Sequence, residues 1–111
     1  MDGGNSRYTD DGPHAELLSA KQIGYVDCGV SGGVWGLENG YGLMAGGSAE
    51  DVEKAMPIFD ALRTRGRACR RGSCTPGPVG AGHYAKMVHN GIEYGLMHAT
   101  ARVTNCCPPN R

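Results

Sequence analysis

Ile23-Gly24-Tyr25-Val26-Asp27-Cys28 is short, partly β-branched and aromatic, and it reads as a strand. What surrounds it sets the fold class. Upstream, residues 13–22 read as a short helix: Pro13 suits a first turn, and Ala15, Leu17, Leu18 and Ala20 supply apolar surface. Residues 1–9 are dense in turn formers and read as a loop. Downstream, residues 29–40 form a glycine-rich loop that holds the only tryptophan, Trp35, as a packing residue, and Tyr41 to Ala45 is a second strand. Ser48 then opens a helix with Asp51 as its capping-box partner, and Val52, Ala55, Met56, Phe59 and Leu62 recur at helical spacing. Pro57 predicts a kink or a break there. Helix, strand, loop, strand, helix is an α/β order. A parallel sheet of this kind needs more strands than the chain supplies, so the fold reads as incomplete.

The pattern breaks between Arg63 and Gly77, where Arg63, Arg65, Arg67, Arg70 and Arg71 fall within nine residues, without an acid or a periodic apolar residue. It resumes as a long helix from Gly80 to about Ala101, in which Tyr84, Val88, Ile92, Leu96 and Ala99 share one face. Thr104 to Arg111, with Cys106-Cys107-Pro108-Pro109, has no packing pattern and reads as disordered.

Composition narrows the classes further. The chain has 111 residues, enough for one small domain. Its 19 glycines follow no triplet period, which excludes collagen. No apolar run approaches the ~20 residues of a membrane helix, and the N-terminus lacks a signal-peptide layout, so a soluble cytoplasmic protein is expected. The zero net charge hides an uneven split: residues 1–60 carry three Lys/Arg against ten Asp/Glu, and residues 61–111 carry eight against one. Five cysteines, an odd count without secretory context, read as reduced thiols. Cys69 and Cys74 have loose spacing and no second pair, so no metal site is read from them. Cys28 reads as a small core residue. No aromatic residue interleaves with the arginines, which argues against a nucleic-acid surface.

The long helix carries the most informative constellation. At about 100° per residue, with Lys86 at zero, His89 falls at about 300°, Asn90 at about 40° and Glu93 at about 340°. Four functional side chains therefore share one face, opposite the apolar stripe. A lysine and a carboxylate ~10 Å apart along the axis can address opposite ends of a small substrate, one as base and one as acid. The same spacing also describes an ordinary solvated face, and geometry alone leaves both readings open. Ser31-Gly32-Gly33 follows a strand, where α/β sheets place ligand loops, and it reads either as an anion-binding turn or as a plain one. Asn5 in Asp2-Gly3-Gly4-Asn5-Ser6 has the same two readings.

Taken together, several segments resemble the β-hydroxyacid dehydrogenase superfamily in order: Asp2 to Ser6, Asp27-Cys28-Gly29-Val30-Ser31-Gly32-Gly33, and Gly40-Tyr41-Gly42-Leu43-Met44-Ala45-Gly46-Gly47. Gly77 to Gly95, with His89-Asn90-Gly91-Ile92-Glu93-Tyr94-Gly95, closely resembles the catalytic segment of the decarboxylating 6-phosphogluconate dehydrogenases. Val34-Trp35-Gly36-Leu37-Glu38 is similar to the shorter bacterial form. The resemblance covers residues 2–62 and 77–99. It implies oxidative decarboxylation of 6-phosphogluconate to ribulose 5-phosphate and CO2, with reduction of NADP or NAD, in the pentose phosphate pathway. By the same resemblance, Lys86 is the base, Glu93 the acid that protonates the enol carbon, and Asn5 a residue beside the cofactor. Ser31, Gly32, Gly33, His89 and Asn90 hold substrate, and Tyr94 meets its phosphate.

The implied organisation is α/β. Residues 1–76 would be the C-terminal part of a Rossmann-type NAD(P)-binding domain, and residues 77–111 the start of a helical domain. The full-length protein would be a homo-oligomer, without nucleic-acid or membrane partners. Departures accompany the match. No G-x-G-x-x-G follows a strand near the N-terminus, residues 63–76 do not resemble the family's strand and turn, and residues 100–111 stop resembling its helix. The expectation is an internal piece of such an enzyme, inactive alone, with a local shift of reading frame at 63–76. The competing expectations are another β-hydroxyacid dehydrogenase, of the 3-hydroxyisobutyrate type, a non-catalytic fragment or interaction module, and a non-functional product that never folds.

Overall fold

The computed structural model describes residues 1–64 and 73–106. Helix α1 (Tyr8–Ser19) leads to β1 (Val26–Ser31), then to a 3-10 turn at Gly33–Trp35 and a four-residue helix α2 (Gly36–Asn39). Strand β2 (Gly42–Gly47), helix α3 (Ala49–Leu62), strand β3 (Ser73–Gly77) and the 26-residue helix α4 (Ala81–Cys106) follow. The sheet order is β1-β2-β3, with β1 and β2 antiparallel and β2 and β3 parallel across the α3 crossover. On the other side of β1, Asp2 makes a parallel bridge to Asp27: its N–H donates to the Val26 carbonyl and its carbonyl accepts from the Cys28 N–H, both at 2.8 Å. Strand β1 is therefore flanked on both sides, as the buried run from Val26 to Gly29 requires.

The core lies between the sheet and α3, where Val26, Cys28, Leu43, Ala45, Val52, Ala55 and Phe59 pack together. The Ser48 cap forms as expected, its Oγ accepting from the Asp51 N–H at 3.1 Å.

Several expected boundaries move, each for a physical reason. Helix α1 starts at Tyr8, inside the expected loop, and Pro13 lies within it rather than in its first turn. Tertiary contacts recruit the extra turn: Tyr8 meets Tyr84 edge-on at 5.2 Å, and Asp11 is fully buried. Asp10 and Asp11 also suit a helix start electrostatically. Strand β1 begins three residues late, at Val26, because Gln22 turns through a left-handed conformation (φ 58°) and Ile23 is exposed. Trp35 is 65% exposed, so it does not pack its loop. Pro57 does not divide α3; the carbonyl it leaves unpaired belongs to exposed Glu53, where water can serve it.

Residues 73–77 form β3 despite the broken pattern, because the open edge of β2 supplies backbone partners whatever the side chains are. Residues 104–106 continue α4, in which the Thr104 hydroxyl donates to the Thr100 carbonyl at 2.9 Å. The largest correction concerns the faces of α4. The predicted apolar stripe is solvent-exposed at Tyr84, Val88, Ile92 and Leu96, while the N-terminal part of the polar side lies toward the sheet, with His83 buried and Lys86 and Asn90 half-buried; His89 and Glu93 are exposed. Beyond the Tyr8–Tyr84 ring contact, nothing in the described residues covers the stripe, so its helical periodicity marked a face largely without a partner.

Candidate active site

Close approach of α4 to the sheet is built on small residues. A Cβ on Gly29 would collide with the Lys86 Cβ and lie 2.9 Å from the Gly82 carbonyl. One on Gly46 would lie 2.7 Å from the Pro78 carbonyl and 2.8 Å from the Gly82 nitrogen. Glycine at these positions lets the first turns of α4 lie directly on β1 and β2. Asp27 anchors the contact. Fully buried in β1, its carboxylate accepts from the Gly80 N–H at 2.7 Å and the His83 N–H at 2.9 Å, two donors at the positive end of α4.

This packing brings three separated segments into one cleft of about 200 Å3, lined by Gly3, Gly4, Asn5, Val30, Lys86 and Asn90. Asn5 and Asn90 also form part of the wall of a larger neighbouring cavity of about 450 Å3, which reaches His83 and Met87. Of the residues singled out in the sequence, Asn5, Lys86 and Asn90 meet here, and Ser31 directly follows Val30 at the end of β1. Gly32 (φ 152°) and Gly33 (φ 51°) turn the chain just beyond, in conformations that favour glycine. His89, Glu93 and Tyr94 do not line the cleft. His89 Nδ1 lies 3.6 Å from the Glu93 carboxylate on the exposed side of α4, and Tyr94 is 71% exposed.

Behind the cleft lies a buried polar network that the sequence reading missed. The Asp11 carboxylate accepts from the Tyr25 hydroxyl at 2.8 Å and contacts His83 Nδ1 at 2.8 Å. The available signals were a charged residue inside a strand, Asp27, and a histidine one turn before Lys86 on the same helix. Burial, together with the hydrogen bond to Asp11, pushes the Tyr25 hydroxyl well above its ordinary range. The folded chain resists ionising Tyr25 while the unfolded chain ionises near pH 10, so this contribution to stability is full below about pH 10 and is lost above it. Urea midpoints measured from pH 8 to 11 are expected to fall steeply in the parent and more gently in Tyr25→Phe. Equal slopes would contradict this account of the network. On the same side, the Gly4 N–H (2.9 Å) holds the Asp2 carboxyl below its usual range.

Arg65 to Arg71, Cys69 and Cys107 to Arg111 lie outside the described residues. Cys28 is a core residue, 1% exposed. No helix among the described residues is long and apolar enough to cross a membrane.

Residues 1–72 match the family described as the NAD binding domain of 6-phosphogluconate dehydrogenase. The decarboxylating 6-phosphogluconate dehydrogenase of Bacillus licheniformis is 47% identical over 104 residues, 91% of this chain and 21% of that protein. The NAD(+)-dependent decarboxylating enzyme of Haloferax volcanii is 46% identical over 99 residues, 89% of this chain and 31% of that protein. A solved structure of Plasmodium falciparum 6-phosphogluconate dehydrogenase, described in apo form and in complex with NADP+ and with 6-phosphogluconate, superposes with a TM-score of 0.78 at 34% identity. It covers 90% of this chain and 21% of the other. The chain thus spans between a fifth and a third of the length of these relatives.

Proposed function

The chain belongs to the family of the NAD-binding domain of 6-phosphogluconate dehydrogenase, and from that membership we propose that it is the part of a decarboxylating 6-phosphogluconate dehydrogenase that joins nucleotide domain to catalytic helix. In this reading residues 1–76 belong to the Rossmann-type domain and residues 77–111 open the helical domain. The whole enzyme converts 6-phosphogluconate to ribulose 5-phosphate and CO2 within cytoplasmic pentose phosphate metabolism. The uncovered apolar residues Ile92, Leu96 and Met97 of α4 are the surface that further helices, and the partner subunit of a homo-oligomer, would cover.

The residues present fit one end of a nicotinamide dinucleotide. Gly3 and Gly4 leave backbone exposed at the cleft, a Cβ on Gly3 would meet nothing within 4 Å, and the Asn5 amide can both donate and accept. The G-x-G-x-x-G cradle for the pyrophosphate is not among these 111 residues. When bound, NAD or NADP supplies the hydride acceptor for C3 of the substrate.

The chain's own residues then divide the proton work. The Lys86 amine takes the proton of the C3 hydroxyl as the carbonyl forms. It returns that proton to the same oxygen when the C1 carboxylate leaves as CO2 and the C2–C3 enol develops. Glu93, as the carboxylic acid, protonates the enol carbon, and the hydroxyl proton passes back to the Lys86 amine as the ketone forms. Ser31, the Gly32 and Gly33 backbone, His89 and Asn90 hold the hydroxyls and carboxylate, and Tyr94 meets the phosphate. The observation that supports this most is the orientation of α4: Lys86 and Asn90, half-buried, line one cleft with Asn5, while His89 and Glu93 of the same face stay exposed.

A direct check uses the purified 111-residue chain with 6-phosphogluconate and NAD+ or NADP+. No appreciable nicotinamide reduction is expected, because the pyrophosphate cradle and the surroundings of Glu93 and Tyr94 are not built by these residues. Measurable turnover would contradict the assignment of a partial site.

A further inference from the structure

Asp27 stands where the walls of the cleft meet. Its backbone is held from both sides, by Gly46 across the antiparallel ladder and by the bridge to Asp2. The segment that begins at Asp2 carries Gly3, Gly4 and Asn5 into the cleft, and β1 carries Val30 there just beyond Asp27. The side chain has no exposed surface and is given wholly to α4: one oxygen accepts from the Gly80 N–H and the other from the His83 N–H. Lys86 follows His83 by a little less than one helical turn.

A second contact lies on the same face of the strand. Residues two apart in a strand share a face, so Gly29 continues the surface that Asp27 presents to α4. A Cβ at Gly29 would collide with the Lys86 Cβ. The carboxylate holds the start of α4 down, and the bare backbone of Gly29 stops the Lys86 stem at contact distance. Room around the carboxylate is tight: a Cβ on Gly46 would lie 2.5 Å from one of its oxygens, and one on Gly82 would lie 2.8 Å from the other. Asp27 therefore has no space to swing aside.

We propose that Asp27 is the positioning residue for Lys86, a buried charged cap that seats the lysine stem over Gly29 and so fixes where its amine stands in the cleft. The catalytic consequence rests on Lys86 being the base; the seat itself is a property of this chain and is measured separately. Asparagine at position 27 would keep the size but offer one oxygen and one NH2, so one of the two N–H groups would meet a donor. A buried N–H left unpaired is costly, and the first turn of α4 then relaxes away from β1 and takes Lys86 with it.

The seat is tested on the 111-residue chain by brief acetylation with acetic anhydride, comparing half-buried Lys86 with exposed Lys21 and Lys54 by mass spectrometry. Lys86 is expected to label several-fold more slowly than the other two, and Asp27→Asn to close most of that gap while the far-UV circular dichroism stays that of the parent. If Asp27→Asn does not fold, Gly29→Ala pushes on the same stem with both Asp27 hydrogen bonds in place and is expected to give the same shift. An unchanged labelling ratio in a folded variant overturns the seat. The effect on catalysis is read in a hybrid in which residues 2–62 and 77–99 replace the corresponding segments of the Bacillus licheniformis enzyme. There Asp27→Asn lowers kcat by about 10²-fold, the scale of a ~1 Å misplacement, and leaves KM within about threefold. In a Lys86→Met background the same substitution removes less than about threefold more, because both residues act on one step. A residue that only stabilised the fold would lower Tm and leave kcat alone. A kcat within about threefold of the parent hybrid, or equal losses in both backgrounds, overturns the positioning role. A parent hybrid without turnover counts against the catalytic reading instead, and the labelling result then decides the seat.

Discussion

Lys86→Met lowers kcat by about 10²- to 10⁴-fold, the usual contribution of a positioned base, when residues 2–62 and 77–99 replace the corresponding segments of the Bacillus licheniformis enzyme. The reason lies in the cleft. Gly3, Gly4, Asn5, Val30 and Asn90 offer no titratable side chain, so Lys86 is the group on this wall that can exchange a proton with a substrate hydroxyl. Methionine keeps the length and apolar stem that lie against Gly29, so the helix stays seated and the change falls on chemistry. KM for 6-phosphogluconate is expected to move much less than kcat, which steady-state kinetics on the hybrid would show. A kcat within threefold of the parent hybrid would remove Lys86 from the mechanism.

Phe59→Ala costs about 3–5 kcal/mol of stability, the range for emptying a fully buried aromatic site. Phe59 is 1% exposed and is the largest side chain in a core otherwise made of Val26, Cys28, Leu43, Ala45, Val52 and Ala55. A small domain has only about 5–15 kcal/mol in total. The variant is therefore expected to show a shallow, early melt by circular dichroism, with exposed thiol reactivity at Cys28. A Tm within a few degrees of the parent would mean that the core is held elsewhere.

How far the sequence could be read follows from where each signal originates. Local chemistry was legible: Ser48 caps α3 through its own hydroxyl, and Val52, Ala55 and Phe59 form the buried face at the expected spacing. Boundaries set by tertiary contacts were not. Nothing within residues 1–9 announces that Tyr8 will meet Tyr84 edge-on or that Asp11 will be sealed against His83, and those contacts extend α1 backward across Pro13. Strand β3 escaped for a related reason, since its pairing comes from the edge of β2 rather than from its own residue pattern.

For the site, helical geometry grouped Lys86, His89, Asn90 and Glu93 but could not say whether that face met water or protein. Gly29, Gly46 and Gly82 decide it for the first turns, because their missing side chains allow α4 to approach the sheet at Lys86, whereas His89 and Glu93 stay exposed. The same periodicity placed an apolar stripe correctly on one face, yet that face is exposed. Period reports which residues travel together; what they pack against depends on the rest of the molecule. Asp27 and His83 were overlooked because isolated polar residues in apolar surroundings carry no periodic signal.

The most direct measurement of the central claim is turnover by the hybrid itself: 6-phosphogluconate oxidation and CO2 release with residues 2–62 and 77–99 of this chain in place. The account predicts a kcat within about tenfold of the parent enzyme, since the transplanted cleft would carry the base and the substrate-holding residues. A hybrid that folds and binds the dinucleotide but releases no CO2 would contradict it.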